Sequence, residues 1–117
     1  MTAPNLMSVT TLSAKTSVQA ITTVATAIVI NSAASGKLVK VTALYVSNVN
    51  GSSAASVTVD VYRSATAYEV ASTVSVPANS VLDLISKNIY LEEGDSLRLT
   101  ASINSYLKAV CSYEEVS

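Results

Sequence analysis

The side chains able to do chemistry in this chain are few, and their spacing decides most of what can be said about function. There is no His and one Cys, Cys111. A cysteine nucleophile needs a base or a positive neighbour to form its thiolate, and without His the reading of Cys111 as a small buried hydrophobe is favoured over a reactive thiol. A single Cys also forms no disulfide within the chain, in keeping with assembly in a reducing compartment. Carboxylates pair as Glu92 and Glu93 and as Glu114 and Glu115, but neighbours in an extended segment point to opposite faces and cannot flank one glycosidic bond. Glu92, Glu93 and Asp95 surround Gly94. Oxygen ligands on a loop suit calcium, yet this spacing fits no calcium-loop pattern and reads instead as a tight turn in which Gly94 takes positive φ. With only three glycines there is no phosphate cradle. We therefore expect no catalytic residue, no cofactor and no metal, and hence no small-molecule substrate.

Recognition chemistry is equally sparse. Lys15, Lys37, Lys40, Arg63, Lys87, Arg98 and Lys108 are scattered along a chain of net charge -1, so no clustered positive face for nucleic acid is expected. The six aromatic residues are all Tyr. Tyr62 and Tyr68 are candidates for a sugar-binding platform, as flat sheets often carry one, and a host-recognition or carbohydrate-binding module is the alternative function. Tyr rings that edge a core or an interface account for the same residues more simply.

The elements that must position these residues are strands. SVTVDVYR (56–63) places Val57, Val59 and Val61 on one side, and YEVASTVSV (68–76) places Tyr68, Val70, Val74 and Val76 together, a period of two that predicts a hairpin. SLRLTASI (96–103) turns Leu97, Leu99, Ala101 and Ile103 inward, and LKAVCSYEE (107–115) does so with Leu107, Ala109, Cys111 and Tyr113; the short link between them predicts antiparallel pairing of the two. Residues 10–29 read as extended. Turns fall at Asn50-Gly51, at Pro77-Ala78-Asn79 and at Glu92-Asp95. Small β-branched core residues with no Phe or Trp favour thin sheets packed face to face. The expectation is all-β, an antiparallel β-sandwich of jelly-roll type with about eight strands.

At 117 residues the chain suits one domain that removes about two-thirds of its surface from water. We expect a flexible N-terminal arm over 1–12, ordering on contact with a neighbour, and a single sandwich over 13–117. The opening residues do not resemble a secretion signal, and no segment has the ~20 apolar residues of a membrane span, so no membrane partner is expected. The stretch KLVKVTALYVSN (37–48) is apolar on both sides in a period of two: Val39, Val41, Ala43 and Tyr45 against Leu38, Leu44 and Val46. Such a strand either sits centrally under a covering segment or meets another subunit with its second face, and the subunit contact is the reading favoured. Leu38, Leu44 and Val46, with Leu6 and Met7 of the arm, are the candidate assembly residues of a homo-oligomer, and Leu44→Asp is expected to release folded monomer.

The run YLEEGDSLRL (90–99), the turn VPANS (76–80) and the ending SYEE (112–115) resemble small virion structural proteins of tailed bacteriophages, of the marine and cyanobacterial phage type. The likeness covers most of the chain. It implies a particle component, either a capsid decoration or cement protein or a neck or tail component, with capsid, neck or tail proteins as further partners. It also implies assembly in the cytoplasm of the host bacterium and residence in the virion.

Overall fold

The computed structural model describes residues 11–117. Nine strands form two antiparallel sheets: β1 (Leu12–Ala20), β2 (Thr26–Ile30), β3 (Leu38–Asn48), β4 (Ala55–Arg63), β5 (Thr66–Val76), β6 (Val81–Asp83), β7 (Ile89–Leu91), β8 (Ser96–Ala101) and β9 (Leu107–Val116). One sheet runs β1-β9-β3-β6, with β7 also paired to β3, and the other runs β2-β8-β4-β5. The first four strands alternate between the sheets, β4 and β5 share one and β6 and β7 the other, and the last two strands return beside the first two. That is the double Greek-key order of a jelly roll. The short β6 and β7 share the long β3, pairing at Tyr45–Ser47 and Val39–Val41 respectively.

The core is aliphatic. Val57, Val59, Leu97 and Leu99 from one sheet meet Val39, Val41, Leu44, Val46, Leu107, Ala109 and Cys111 from the other. Small side chains suffice because each fills only part of the roughly 10 Å between packed sheets. Two buried asparagines tie the loops to this core. Asn31 donates from Nδ2 to the carbonyls of Lys37 and Leu91, both at 2.9 Å. Asn48 donates to those of Ser53 and Val76. Each amide thus satisfies carbonyls that the strands leave unpaired.

β3 departs from its expected period. A bulge between Val41 and Ala43 places Val41 opposite Tyr113 and Ala43 opposite Ser112, leaving Thr42 as the extra residue. The bulge reverses which parity faces inward. Val39 and Val41 enter the core before it, and Leu44, Val46 and Asn48 after it, all buried. The doubly apolar reading of 37–48 is therefore one inward face that changes parity halfway. Leu44 and Val46, fully buried within their own domain, cannot meet another subunit. An acidic residue at Leu44 would break the core rather than free a monomer.

Two other expectations change. β8 and β9 do not pair, because the link at Asn104–Tyr106 carries the chain from one sheet to the other. And β5 does not hold one parity: Val70 is exposed and Ala71 packs inward, with irregular pairing either side of Val59. The β4–β5 hairpin itself forms as expected, closed by Ser64 and Ala65 at φ 52° and 62°. These are the two positive values of a primed two-residue turn, here made without Asn or Gly.

Candidate assembly surface

The outward face of the β1-β9-β3 sheet is built from residues that the core leaves over. Residues opposite one another in an antiparallel pair project on the same face. Leu12 lies opposite Val116 and Val116 opposite Leu38, making one outward row. Val116 is buried yet stands apart from the core cluster, because Leu12 and Leu38 flank it. Three repeats of the pleat further, Val18, Val110 and Tyr45 form a second row, exposed by 72%, 40% and 46%. Ala20, Lys108, Ser47 and Val81 follow. Between the rows lie two others, Ala14, Glu114 and Lys40 and then Thr16, Ser112 and Ala43, with Lys40 and Glu114 4.0 Å apart as an ion pair.

β1 explains why this face is apolar. Its inward side chains are polar: Ser17 donates to the carbonyl of Ile28 at 2.9 Å and Gln19 to that of Ala27 at 3.1 Å. They close the edge of the sandwich against β2. The apolar residues Leu12, Ala14, Val18 and Ala20 are consequently turned to solvent, the reverse of a strand on an isolated globule.

The outer face of the other sheet differs in kind. Ser56, Thr58, Thr73, Thr100 and Ser102, with Ala101, line a shallow depression there. Beside it Arg98 binds Asp60, Nε to Oδ1 at 2.9 Å, with its guanidinium 3.9 Å from the centre of the Tyr62 ring. The Asp60 carboxylate is shielded by this pair, so its burial carries no unpaired charge. The outward face of the β1-β9-β3 sheet thus carries the two apolar rows, interleaved with polar ones, whereas hydroxyl and charged side chains dominate β4 and β8 on the other.

Leu38 is the assembly candidate that lies on the apolar face, half-buried beside Val116. Leu44 and Val46 lie in the core, and Leu6 and Met7 fall outside the described residues. The residues the sequence reading passed over are Leu12, Val18, Tyr45 and Val110. Their signal was present in β1, whose apolar residues share a parity, but nothing in the sequence says that this parity faces outward. Tyr62 and Tyr68 are not brought together: Tyr68 lies opposite Val61, one residue from Tyr62 along β4, so the two rings sit on opposite faces.

The remaining chemical candidates are committed to structure. Asp95 is buried, accepts hydrogen bonds from the Arg63 guanidinium and from the Glu92 amide, and so fastens the turn to the end of β4. The Arg63 hydrogen bond holds its carboxyl below the ordinary value, against the opposing effect of burial. Arg63 also pairs with Glu92 at 2.9 Å, Glu93 accepts the Gly36 amide at 3.0 Å, and Gly94 takes φ 91°. Burial alone pushes the Cys111 thiol up to about 11, a poor thiolate former. Among the described residues no helix is long and apolar enough to cross a membrane.

No protein-family model matches the chain, and no curated protein matches it significantly.

Proposed function

We propose that this protein is a non-enzymatic structural component of a phage virion, a capsid decoration or cement protein or a neck or tail component, which assembles with copies of itself through the outward face of β1, β9 and β3. The observation that carries the reading is that face. A strand that turns Ser17 and Gln19 inward and Leu12, Ala14, Val18 and Ala20 outward leaves apolar area in water on a monomer, and that area suits the dehydrated centre of an interface. Its likeness in sequence to virion proteins and a jelly-roll topology used by capsid and lectin domains support the setting, the latter as an analogy of fold. The non-enzymatic part rests on a sequence without His and on a buried thiol of raised pKa. A repeated particle component needs matching patches on every copy, and the two apolar rows supply them.

The test is the double variant Tyr45→Asp with Val110→Asp, which places charge in the outward row and leaves the core untouched. Light scattering should report an assembly for the unmodified chain and a single-chain mass for the variant, with the β-type circular dichroism spectrum retained. An unmodified chain that stays monomeric at high concentration, or a variant of unchanged mass, would refute the reading.

A further inference from the structure

β1 is held to the sandwich differently from the other strands. Among the described residues, every other strand places side chains in the core cluster or packs them against it, and β1 places none. Its inward residues are polar: Lys15 pairs with Glu115 at 2.8 Å, and Ser17 and Gln19 reach the carbonyls of Ile28 and Ala27. The strand otherwise rests on its ladder to β9, in unbroken register from Leu12–Val116 to Ala20–Lys108. The core body begins one residue later. Ile21 is buried, its amide bonds to the Leu107 carbonyl at 2.9 Å, and the Thr22 carbonyl accepts the Ala101 amide at 2.8 Å. Every member of the core cluster lies from Ile21 onward, so the departure of β1 removes none of them. An element with so few buried apolar contacts opens at a lower free energy than the rest of its domain.

We propose that β1 exchanges between copies, the β9 edge of one chain taking β1 of a second copy. That edge specifies its occupant. Without β1, β9 presents a row of unpaired amides and carbonyls, flanked by the Glu115 carboxylate and the carbonyls of Ile28 and Ala27. Meeting all of these takes a strand with Lys, Ser and Gln at alternate positions, as Lys15, Ser17 and Gln19 stand. Gln19 is the chain's one glutamine, so no other segment carries the pattern. The strand that fits is therefore β1 of another copy. An exchanged β1 makes the same contacts as a closed one, which leaves concentration to set the balance between them. The hinge falls at Ala20–Ile21, the end of the strand and the start of the anchored body, and element ends are where such backbone changes are absorbed. This contact goes beyond the sheet-face contact, and either can fail alone.

Cys111 supplies the reporter. Ser17 lies directly opposite it, and the bonded pairs Thr11–Ser117 and Ile21–Leu107 at the two ends of the ladder make Ser17–Cys111 a bonded pair too, with Cα atoms about 5.5 Å apart, as a disulfide requires. Cys111 is fully buried, so in the folded protein only a β1 seated on that β9 brings a thiol at position 17 to it. The full chain carrying Ser17→Cys is refolded in a glutathione redox buffer over a range of concentrations and then separated, denatured, without reductant. Dilute chains should close on themselves. The ratio of linked dimers to closed chains should rise about tenfold for each tenfold increase in free chain, and peptide mapping should find 17 joined to 111. Closed chains at every concentration overturn the proposal, and so do dimers joined 17 to 17. Hydrogen exchange on the unmodified chain reads the opening without any disulfide. By the same alternation the amides of Ala109 and Cys111 face β1 and that of Val110 faces β3. The first two should exchange about a hundredfold faster than the third; equal rates overturn the proposal. Closed chains in a protein that assembles by light scattering refute exchange and leave the sheet-face contact standing; linked dimers that persist with Tyr45→Asp and Val110→Asp do the reverse.

Discussion

Asp95 illustrates what single residues contribute. Its place in an acidic turn was legible in the sequence, and so was the positive φ of Gly94, because glycine between turn formers has few other uses. Its partner was not. Arg63 stands 32 positions away, and only the ending of β4 beside the β7–β8 turn brings the guanidinium to it. The pair makes a pH prediction. The Asp95 carboxyl is held below its ordinary 3.8 chiefly by the Arg63 hydrogen bond, and that of Glu115 below its ordinary 4.5 chiefly by the Lys15 hydrogen bond. A lowered folded value means that the unfolded chain binds more protons in this range. The stabilisation is therefore complete above the unfolded values and is lost as pH falls through 4.5 and 3.8 toward the lower folded ones. Urea midpoints should stay flat from neutrality until about pH 5 and then drop. Asp95→Asn should be about 1–2 kcal/mol less stable at pH 7, since the partner arginine is half in water, and should lose less on acidification. An unaltered acid limb in that variant would contradict the assignment.

At the scale of elements, the decisive feature is the bulge in β3. A one-residue slip moves every following side chain to the other face, so Thr42 alone determines whether Leu44 and Val46 are core or surface. Thr42 is itself exposed and donates to the Ser112 carbonyl at 3.0 Å, which holds the extra residue out of the ladder. Deleting Thr42 joins Val41 directly to Ala43, and strict alternation then keeps Val39, Val41, Leu44 and Val46 on one inward face in the register they already hold. The deletion is therefore expected to cost less than a single large-to-small change such as Leu44→Ala, itself about 2–5 kcal/mol. Denaturant unfolding followed by circular dichroism measures both. A deletion variant less stable than Leu44→Ala would contradict this account of the bulge. β5 carries its own irregularities and a positive φ at Thr73. As the edge strand of its sheet it gains from them, since bulges hinder indiscriminate pairing of an exposed edge.

For the whole molecule, the asymmetry of the two outer faces matters more than any pocket. A protein that assembles through its apolar face binds itself only when folded, so mass action raises its stability with concentration. Thermal midpoints of the unmodified chain should climb by about 3 °C or more per tenfold increase in protein concentration. Those of the Tyr45→Asp, Val110→Asp variant should stay level. Concentration-independent midpoints for both would argue against self-assembly.

What the sequence determined by itself was the class of structure and the poverty of its chemistry. Period-two runs of small aliphatic residues, turn residues between them and a missing His are local properties, and a pattern of period two has one physical use, a sheet with an inside and an outside. Tertiary structure alone decided which side was inside. Ser17 and Gln19 reach β2 only once the sheets have closed, and this turns Val18 outward; Thr42 bulges only against β9, and this draws Leu44 inward. Facing depends on the partner strand, and the partner can lie more than a hundred residues away in the chain, as between Leu12 and Val116.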